Sequence, residues 1–168
     1  MYQLQSLTEG KARIINENPP YDSTFNVADE AEAVRIVLGL NRPPMLEALA
    51  DHRFALETAG LILDNGLRVS TDRESQAQLS SIYTDLTAGL IPDADWKAKN
   101  GWQRVDLETI APIVKAVAVH RRACFRGERL VQASIDDAAT IADIEAIDIQ
   151  QHFATAYQRA FTEVMASA

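Results

Sequence analysis

The sequence predicts an α+β fold that is mainly α-helical, with four to six helices around one long helix and one or two short antiparallel β-hairpins. Apolar residues recur at three- and four-residue spacing over several long stretches, as the buried face of a helix requires. Asn-Gly dipeptides at 65–66 and 100–101 each lie between short apolar or aromatic runs, which is typical of hairpin turns. Thr and Asp residues precede the helical patterns, where they can cap helix N-termini.

The stretch 61–76 predicts a hairpin that passes directly into a helix. Asn65 and Gly66 suit the two positive-φ positions of a type I′ turn. Thr71 and Glu74 have the spacing of a capping box, in which each side chain bonds to the other's backbone N–H. A second, smaller hairpin is predicted around residues 100–101. The residues assigned to these structural motifs are Asn65, Gly66, Thr71, Asp72, Arg73, Glu74, Trp96, Gly101 and Trp102.

The helical patterns are separated by proline, glycine and capping residues. Helices are predicted over 26–40, 44–59, 72–88, 107–135 and 140–147, with a final helix that begins after Asp148. Pro43 and Pro44 suit a helix start, so we expect a break before them. Pro112 marks either a late start or a bend in the longest helix. The predicted buried stripe of that helix is Ile110, Ile113, Val117, His120, Cys124, Val131 and Ile135.

The first 25 residues lack sustained periodicity and contain Pro19 and Pro20. We predict an N-terminal arm with a short strand near 12–15 and then an extended proline segment; a disordered leader is the alternative. The expected organisation is therefore an arm over 1–25, a globular α+β domain over 26–148 and a C-terminal amphipathic helix over 149–168.

Composition limits the classes of partner. The hydrophobic fraction of 47% can form a core, and the net charge of −8 disfavours binding to nucleic acid or to an anionic membrane. Neither partner is predicted. The single cysteine, Cys124, permits no internal disulfide, which suits a reducing cytoplasm. The N-terminus shows no secretory signal, and the apolar run 110–119 is too short to span a bilayer.

No group of residues predicts a catalytic or metal centre. His120 and Cys124 lie four residues apart and could share a metal ion, but a core histidine beside a buried thiol is the favoured interpretation. Asp93 and Asp95 near Trp96 could form a carboxylate pair with an aromatic platform, as in glycan-cleaving enzymes, although adjacent carboxylates in loops are common. We predict no catalytic residue, no cofactor and no metal.

Charge is unevenly distributed in the second half of the chain. Residues 111–134 contain five basic residues and one acidic residue, whereas residues 135–168 contain six acidic residues and one basic residue. Lys115, Arg122, Arg126 and Arg129 are spaced to share one helical face. The favoured interpretation is that the acidic segment folds back on the basic helix; the alternative is a basic surface for an acidic partner or a second copy.

The chain between about 46 and 150 resembles a domain of unknown function found in bacteriophage and prophage tail proteins. The matching features are Ser70 to Ala77, Trp96-Lys97, Gly101, Val105 to Leu107, His120, Ala123 to Phe125, and Ala138 to Asp148. The resemblance implies a location in the tail or tail-fibre region of a virion, with synthesis in the host cytoplasm. It supplies no catalytic residues, since the chemistry of the family is not established.

The predicted function is that of a phage tail-associated structural or adaptor protein that acts through protein–protein contacts and is not an enzyme. The expected partners are other tail or tail-fibre proteins and further copies of the chain. The alternatives are a tail-fibre assembly chaperone and a glycan or cell-wall hydrolase that uses Asp93 and Asp95. The residues predicted to make contacts lie at the two ends of the chain: Tyr2, Leu4, Ile14, Tyr21, Phe25, Phe153, Tyr157 and Phe161.

Overall fold

The structure, a computed structural model, describes residues 1–166. Residues 167 and 168, which the predicted C-terminal helix included, lie outside this range. The strands are β1 Gln3–Thr8, β2 Lys11–Asn16, β3 Tyr21–Asn26, β4 Leu61–Ile62, β5 Arg68–Val69, β6 Ala94–Ala98 and β7 Gly101–Val105. The helices are α1 Glu30–Thr58, α2 Arg73–Thr87, α3 Leu107–Asp137, α4 Ile141–Glu145 and α5 Ile149–Ala166. The predicted α+β class, with a helical majority and small antiparallel sheets, is confirmed.

The chain divides into two compact units that are not the predicted segments. Unit 1 combines Met1–Ala50 with Arg129–Phe153, and unit 2 combines Asp51–Glu128 with the chain from Ala154 onward. The first 25 residues therefore belong to a folded unit. Within residues 1–166, none of the helices is long and apolar enough to cross a lipid bilayer.

Residues 1–25 form an antiparallel sheet of order β1-β2-β3, not the predicted extended arm. The central strand alternates: Ala12 and Ile14 are fully buried, Lys11 and Arg13 are exposed, and Ile15 is half-buried. Ala12 packs with Val27 and Ala33 in a small core that Phe25 also covers. The sheet was not predicted because only β2 shows clear alternation of apolar and polar residues in the sequence. Strands β1 and β3 are stabilised by their pairing with β2, which the sequence does not show.

Helix α1 is continuous through Pro43 and Pro44, so the predicted break between two helices is wrong. Each proline removes one intrahelical hydrogen bond, but the chain around them is anchored by side chains. Asn41 bonds to both the N–H and the C=O of Tyr2, at 2.8 and 2.9 Å. Arg42 donates to the carbonyl oxygens of Ile135, Asp136 and Ala138 near the end of α3. These tertiary contacts hold α1 in line past the prolines.

The hairpin β4–β5 forms where it was predicted, but its turn is not type I′. The N–H of Gly66 donates to the carbonyl of Leu63, and the N–H of Leu63 donates to the carbonyl of Leu67. Gly66 has a φ of 81°, whereas Glu9 is the only non-glycine residue of the described chain with positive φ. Asn65 therefore does not adopt the left-handed conformation; its side chain accepts from the N–H of Leu67. The result is a three-residue loop in which only the glycine is left-handed.

The helix after this hairpin is capped by Asp72, not by the predicted pair of Thr71 and Glu74. The Asp72 carboxylate accepts from the backbone N–H of Ser75 at 2.9 Å. Thr71 is fully buried, and its hydroxyl accepts from the N–H of Gly60 at 2.9 Å. The cap is one residue later than predicted because the hydroxyl of Thr71 already forms a hydrogen bond with Gly60, just after the end of α1.

The second half of the chain follows its predictions closely. Strands β6 and β7 pair around the Asn100-Gly101 turn, and all seven predicted stripe positions of α3 are buried. Thr140 and Asp143 form the capping box of α4, and Asp148 accepts from the N–H of Gln151 at the start of α5. Pro112 lies within α3 near its N-terminus. The core of unit 2 is formed by β5, α2, β6, β7 and α3. Its buried residues are Val69, Leu79, Leu86, Trp96, Ala98, Val105, Ile110, Ile113 and Val117.

Candidate functional site

Unit 2 contains a group of polar side chains, most of them buried or half-buried, here called the polar cluster. Its members come from α1, α2, α3 and α5, which are far apart in sequence. They are Arg53, Glu57, Arg73, His120, Cys124, Glu128 and Tyr157. A cluster of this kind costs desolvation free energy, so each member needs a partner.

Glu57 lies at the centre of the polar cluster, and its side chain has no exposed surface. Its Oε2 accepts from Nη1 of Arg53 at 2.6 Å and from Nη2 of Arg73 at 3.4 Å. Arg53 also donates through Nε to Glu128 at 3.0 Å. Burial acts to lower the pKa of Arg53, and the hydrogen bonds and charges of Glu57 and Glu128 outweigh it and raise that pKa. Arg53 is thus charged and held between two carboxylates.

The other carboxylate oxygen of Glu57, Oε1, is buried and has no hydrogen-bond donor among residues 1–166. A buried acceptor without a partner keeps its desolvation cost, typically about 1–3 kcal/mol and more when charged. Glu57 therefore depends on the cations at Oε2. The ion pair with Arg73 is the weaker of the two, because the Arg73 side chain is 62% exposed to solvent, whereas that of Arg53 is 14% exposed.

His120 is buried beside Glu57, and both of its ring nitrogens have polar partners. Its Nε2 lies 3.2 and 3.3 Å from the carbonyl oxygens of Leu56 and Glu57, which can only accept. The proton therefore resides on Nε2, and Nδ1 accepts from the hydroxyl of Tyr157 at 2.8 Å. Burial lowers the pKa of His120, and the neighbouring carbonyl oxygens and the charge of Glu57 oppose this only in part.

Cys124 and Tyr157 complete the polar cluster as protonated groups. Burial and the charge of Glu57 raise the pKa of the Cys124 thiol to about 12, and burial raises that of Tyr157 to about 12. The sulfur lies 3.8 Å from Nε2 of His120. A protonated, buried thiol is a poor nucleophile and a poor metal ligand. No three His, Cys, Asp or Glu side chains in the described chain are placed to share a metal ion.

On the solvent side of the polar cluster, Arg53 lies between two exposed aromatic rings. Its guanidinium carbon is 4.8 Å from the ring centroid of Phe125 and 5.9 Å from that of Phe54. Phe125 is 44% exposed and Phe54 is 50% exposed. We call Arg53, Phe54 and Phe125 the aromatic-arginine patch. Exposed phenylalanines beside an arginine that is held in position are typical of protein contact surfaces.

Several predicted contact residues at the N-terminus instead serve unit 1 itself. Ile14 is fully buried and therefore unavailable to a partner, contrary to the prediction. Tyr2, Leu4, Tyr21 and Phe25 are half-buried. The rings of Tyr2 and Tyr21 pack edge to face with centroids 5.1 Å apart, and Tyr2 lines a groove of about 460 Å³. These residues pack mainly against their own sheet and against α1.

The predicted contact residues of the C-terminal helix are likewise used inside the protein. Phe153 is fully buried, so its predicted contact role is wrong as well. Tyr157 is half-buried and bonds to His120. Phe161 is half-buried and lines a groove of about 680 Å³ beside the β4–β5 hairpin in unit 2. Phe161 is thus the predicted contact residue of this helix that lines the groove.

The arrangement around Asp93 and Asp95 does not favour a glycan-cleaving site. Asp93 forms an ion pair with Arg104 at 2.7 Å, and Asp95 lies opposite Arg104 in the β6–β7 ladder. Trp96, the predicted platform, is 7% exposed and belongs to the core. Trp102 is 68% exposed, with the ammonium of Lys97 5.6 Å from the centroid of its ring. The ring expected to form a platform is thus buried, and the exposed tryptophan lies on β7.

Sequence reasoning did not find Glu57, the centre of the polar cluster. The available signal was the spacing of Met45, Leu49, Arg53 and Glu57, which places two charged residues four residues apart in line with two buried ones. Opposite charges that continue an apolar stripe can form an ion pair, but this spacing does not show whether the pair is buried. Burial of the pair could be predicted only if the cations contributed by other helices were also known.

The fold is that of a mainly helical α+β protein with small antiparallel sheets. The chain belongs to the family described as domain of unknown function (DUF4376), whose model matches residues 41–151. This range coincides closely with the range of the sequence resemblance, 46–150, while the connection to phage tails stays a prediction. No curated protein and no solved structure matches the chain.

Proposed function

We propose that this protein is a structural or adaptor component of a bacteriophage tail tip or tail-fibre apparatus and acts through protein–protein contacts. The tail location rests on the sequence resemblance alone. The contact role is supported by one observation, the aromatic-arginine patch of unit 2, where two phenylalanines remain about half exposed beside a fixed arginine.

The patch is well suited to binding because Arg53 is already ordered. Its hydrogen bonds to Glu57 and Glu128 hold the guanidinium in place, so little conformational entropy is lost when a partner docks on it. Phenylalanine and arginine are also the residue types that contribute strongly when a partner excludes water from them. The patch therefore acts as an anchor around which further contacts form.

The surrounding charge favours an acidic partner. Arg121, Arg122 and Arg126 are exposed on α3 near Phe125, although the chain as a whole carries a charge of −8. Among residues 1–166, the hydrogen bond that Arg122 donates is one to the carbonyl oxygen of Ala160, at 3.5 Å. A local basic surface on an acidic protein attracts acidic partners and makes association sensitive to salt.

Mass spectrometry of purified virions from a phage or prophage that encodes the chain tests the proposal. A structural component is recovered from washed particles in stoichiometric amount. Recovery only with unassembled tail fibres identifies an assembly chaperone instead, and absence from both samples overturns the proposal.

The role of the patch is tested with the variant Phe54→Ala/Phe125→Ala. We expect this variant to fold but to be depleted from the particles at least about tenfold, because hot-spot aromatics contribute at least about 1–2 kcal/mol each. Leu90→Ala is the matched control, since Leu90 is an apolar residue of unit 2 that is 71% exposed and lies outside the patch. Equal incorporation of both variants would contradict a contact role for the patch.

A further inference from the structure

The hairpin β4–β5 has two edges, and one of them is closed by another part of unit 2. The N–H of Arg68 donates to Oδ1 of Asn100 at 3.2 Å, and the carbonyl of Arg68 accepts from the N–H of Lys99 at 2.9 Å. Both outward backbone groups of β5 are therefore satisfied by the β6–β7 turn.

The other edge, that of β4, is open. In an antiparallel ladder, opposite residues alternate between exchanging their hydrogen bonds and directing them outward. Leu63 bonds to Leu67, and Ile62 lies opposite Arg68, so the N–H and C=O of Ile62 point away from β5. No group of residues 1–166 bonds to them. Ile62 is also 70% exposed.

An apolar groove adjoins this open edge. It encloses about 680 Å³, and its apolar wall includes Leu61, Leu63, Ile113 and Phe161. Unpaired strand edges and exposed β-branched residues are normally protected by charge or proline, yet β4 carries neither. Strand β4 is only two residues long, and this short length limits which strands can pair with its open edge.

We infer that β4 is a self-association site, where the β4 edge of a second copy pairs antiparallel across a two-fold axis at Ile62. Only one residue of this edge offers outward groups, and an antiparallel hydrogen-bonded pair is formed by two directly opposite residues that exchange both bonds. Two-fold symmetry places Ile62 opposite Ile62, so an identical strand satisfies both groups on both copies. This inference goes beyond the proposed function and gives a surface for the further copies of the chain that are among the partners expected from the sequence.

When two β4 strands pair at Ile62, apolar residues face apolar residues and opposite charges come close to each other. Centring the pair on Ile62 sets Leu61 opposite Leu63 of the second copy, so all three central positions are apolar. The same register sets Asp64 opposite Gly60. The ammonium of Lys99 lies beside Gly60, 2.9 Å from the position that a Cβ atom there would occupy. Each end of the paired strands thus brings a carboxylate toward a cation.

Three substitutions at one position test the pairing in the full chain. Analytical ultracentrifugation of the wild-type protein should give twice the chain mass of 18.5 kDa, and Ile62→Val should behave alike. Ile62→Glu and Ile62→Lys should each weaken the dimer at least about tenfold, because like charges would then face each other across the axis. An equimolar mixture of Ile62→Glu and Ile62→Lys should associate again, since the opposite charges then meet.

Association in the mixture of Ile62→Glu and Ile62→Lys distinguishes pairing between two copies from docking of a foreign peptide. Binding of a foreign peptide would not be restored by mixing the two variants. Because Ile62 is largely exposed, both variants should keep the wild-type circular dichroism spectrum. A monomeric wild-type protein, a dimer indifferent to both charge variants, or a mixture that stays monomeric would overturn the inference. If the protein is found in virions but is monomeric in solution, this inference is refuted and the proposed function stands. If the protein is a dimer in solution but is absent from virions and from fibre complexes, the proposed function is refuted and this inference stands.

Discussion

Replacing Arg53 by methionine would leave the carboxylate of Glu57 buried beside one remaining, more distant cation. Methionine keeps the apolar stem of the side chain, so the change removes charge and hydrogen bonds with little loss of volume. The lost interactions are the 2.6 Å bond to Glu57, the 3.0 Å bond to Glu128 and the stacking on Phe125.

The expected cost in the free energy of unfolding is about 3 kcal/mol. Removing one partner of a buried ion pair typically costs about 3–5 kcal/mol, because the other charge is left uncompensated. The lower end applies because Arg73 stays within 3.4 Å of Glu57, and because Glu128, 21% exposed, can be hydrated. The double variant Arg53→Met/Glu57→Leu should recover to within about 1 kcal/mol of the wild type, since no buried charge is then unpaired.

Urea unfolding followed by tryptophan fluorescence measures this cost, since the buried Trp96 reports on the core of unit 2. The matched control is Arg104→Met, which breaks the exposed pair with Asp93 in the same unit and should cost less than about 1 kcal/mol. If Arg53→Met costs no more than this control, or if the double variant is less stable than Arg53→Met, the cluster does not depend on charge pairing.

Three further predictions follow from the site and its neighbourhood. Burial lowers the pKa of His120 below its usual 6.5, so the unfolded chain binds this proton first as the pH falls. The contribution of His120 to stability should be complete above pH 6.5, fall as the pH drops from 6.5 toward the lowered pKa and level off below it; urea midpoints across pH 5–8 should show this dependence reduced in His120→Gln. Cys124, with a pKa of about 12, should react with iodoacetamide at pH 8 on the order of 10³-fold more slowly in the folded protein than in denaturant, as mass spectrometry can measure; equal rates would contradict its burial. Asp72→Ala should lower the free energy of unfolding by about 1 kcal/mol while Glu74→Ala leaves it nearly unchanged, and a reversed order in urea unfolding would restore the predicted capping box.

The parts of the fold that sequence predicted correctly are those set by neighbours along the chain. Every predicted stripe position of α3 is buried, and Thr140 with Asp143 caps α4, because helical periodicity and capping involve residues within a few positions of each other. The hairpins at 65–66 and 100–101 were located correctly for the same reason. In the candidate site, the sequence indicated that His120 and Cys124 share a buried face.

What only the tertiary structure decided depends on groups far apart in sequence. The N-terminal sheet forms because three strands pair, and α1 continues past Pro43 because Asn41 and Arg42 bond to distant backbone groups. Glu57 is stable in the interior because Arg53 and Arg73 both donate to its carboxylate, and Arg53 is in turn held by Glu128 of α3. Local pattern determines which face of a helix is apolar, whereas the partner that neutralises a buried charge is determined by how the helices pack.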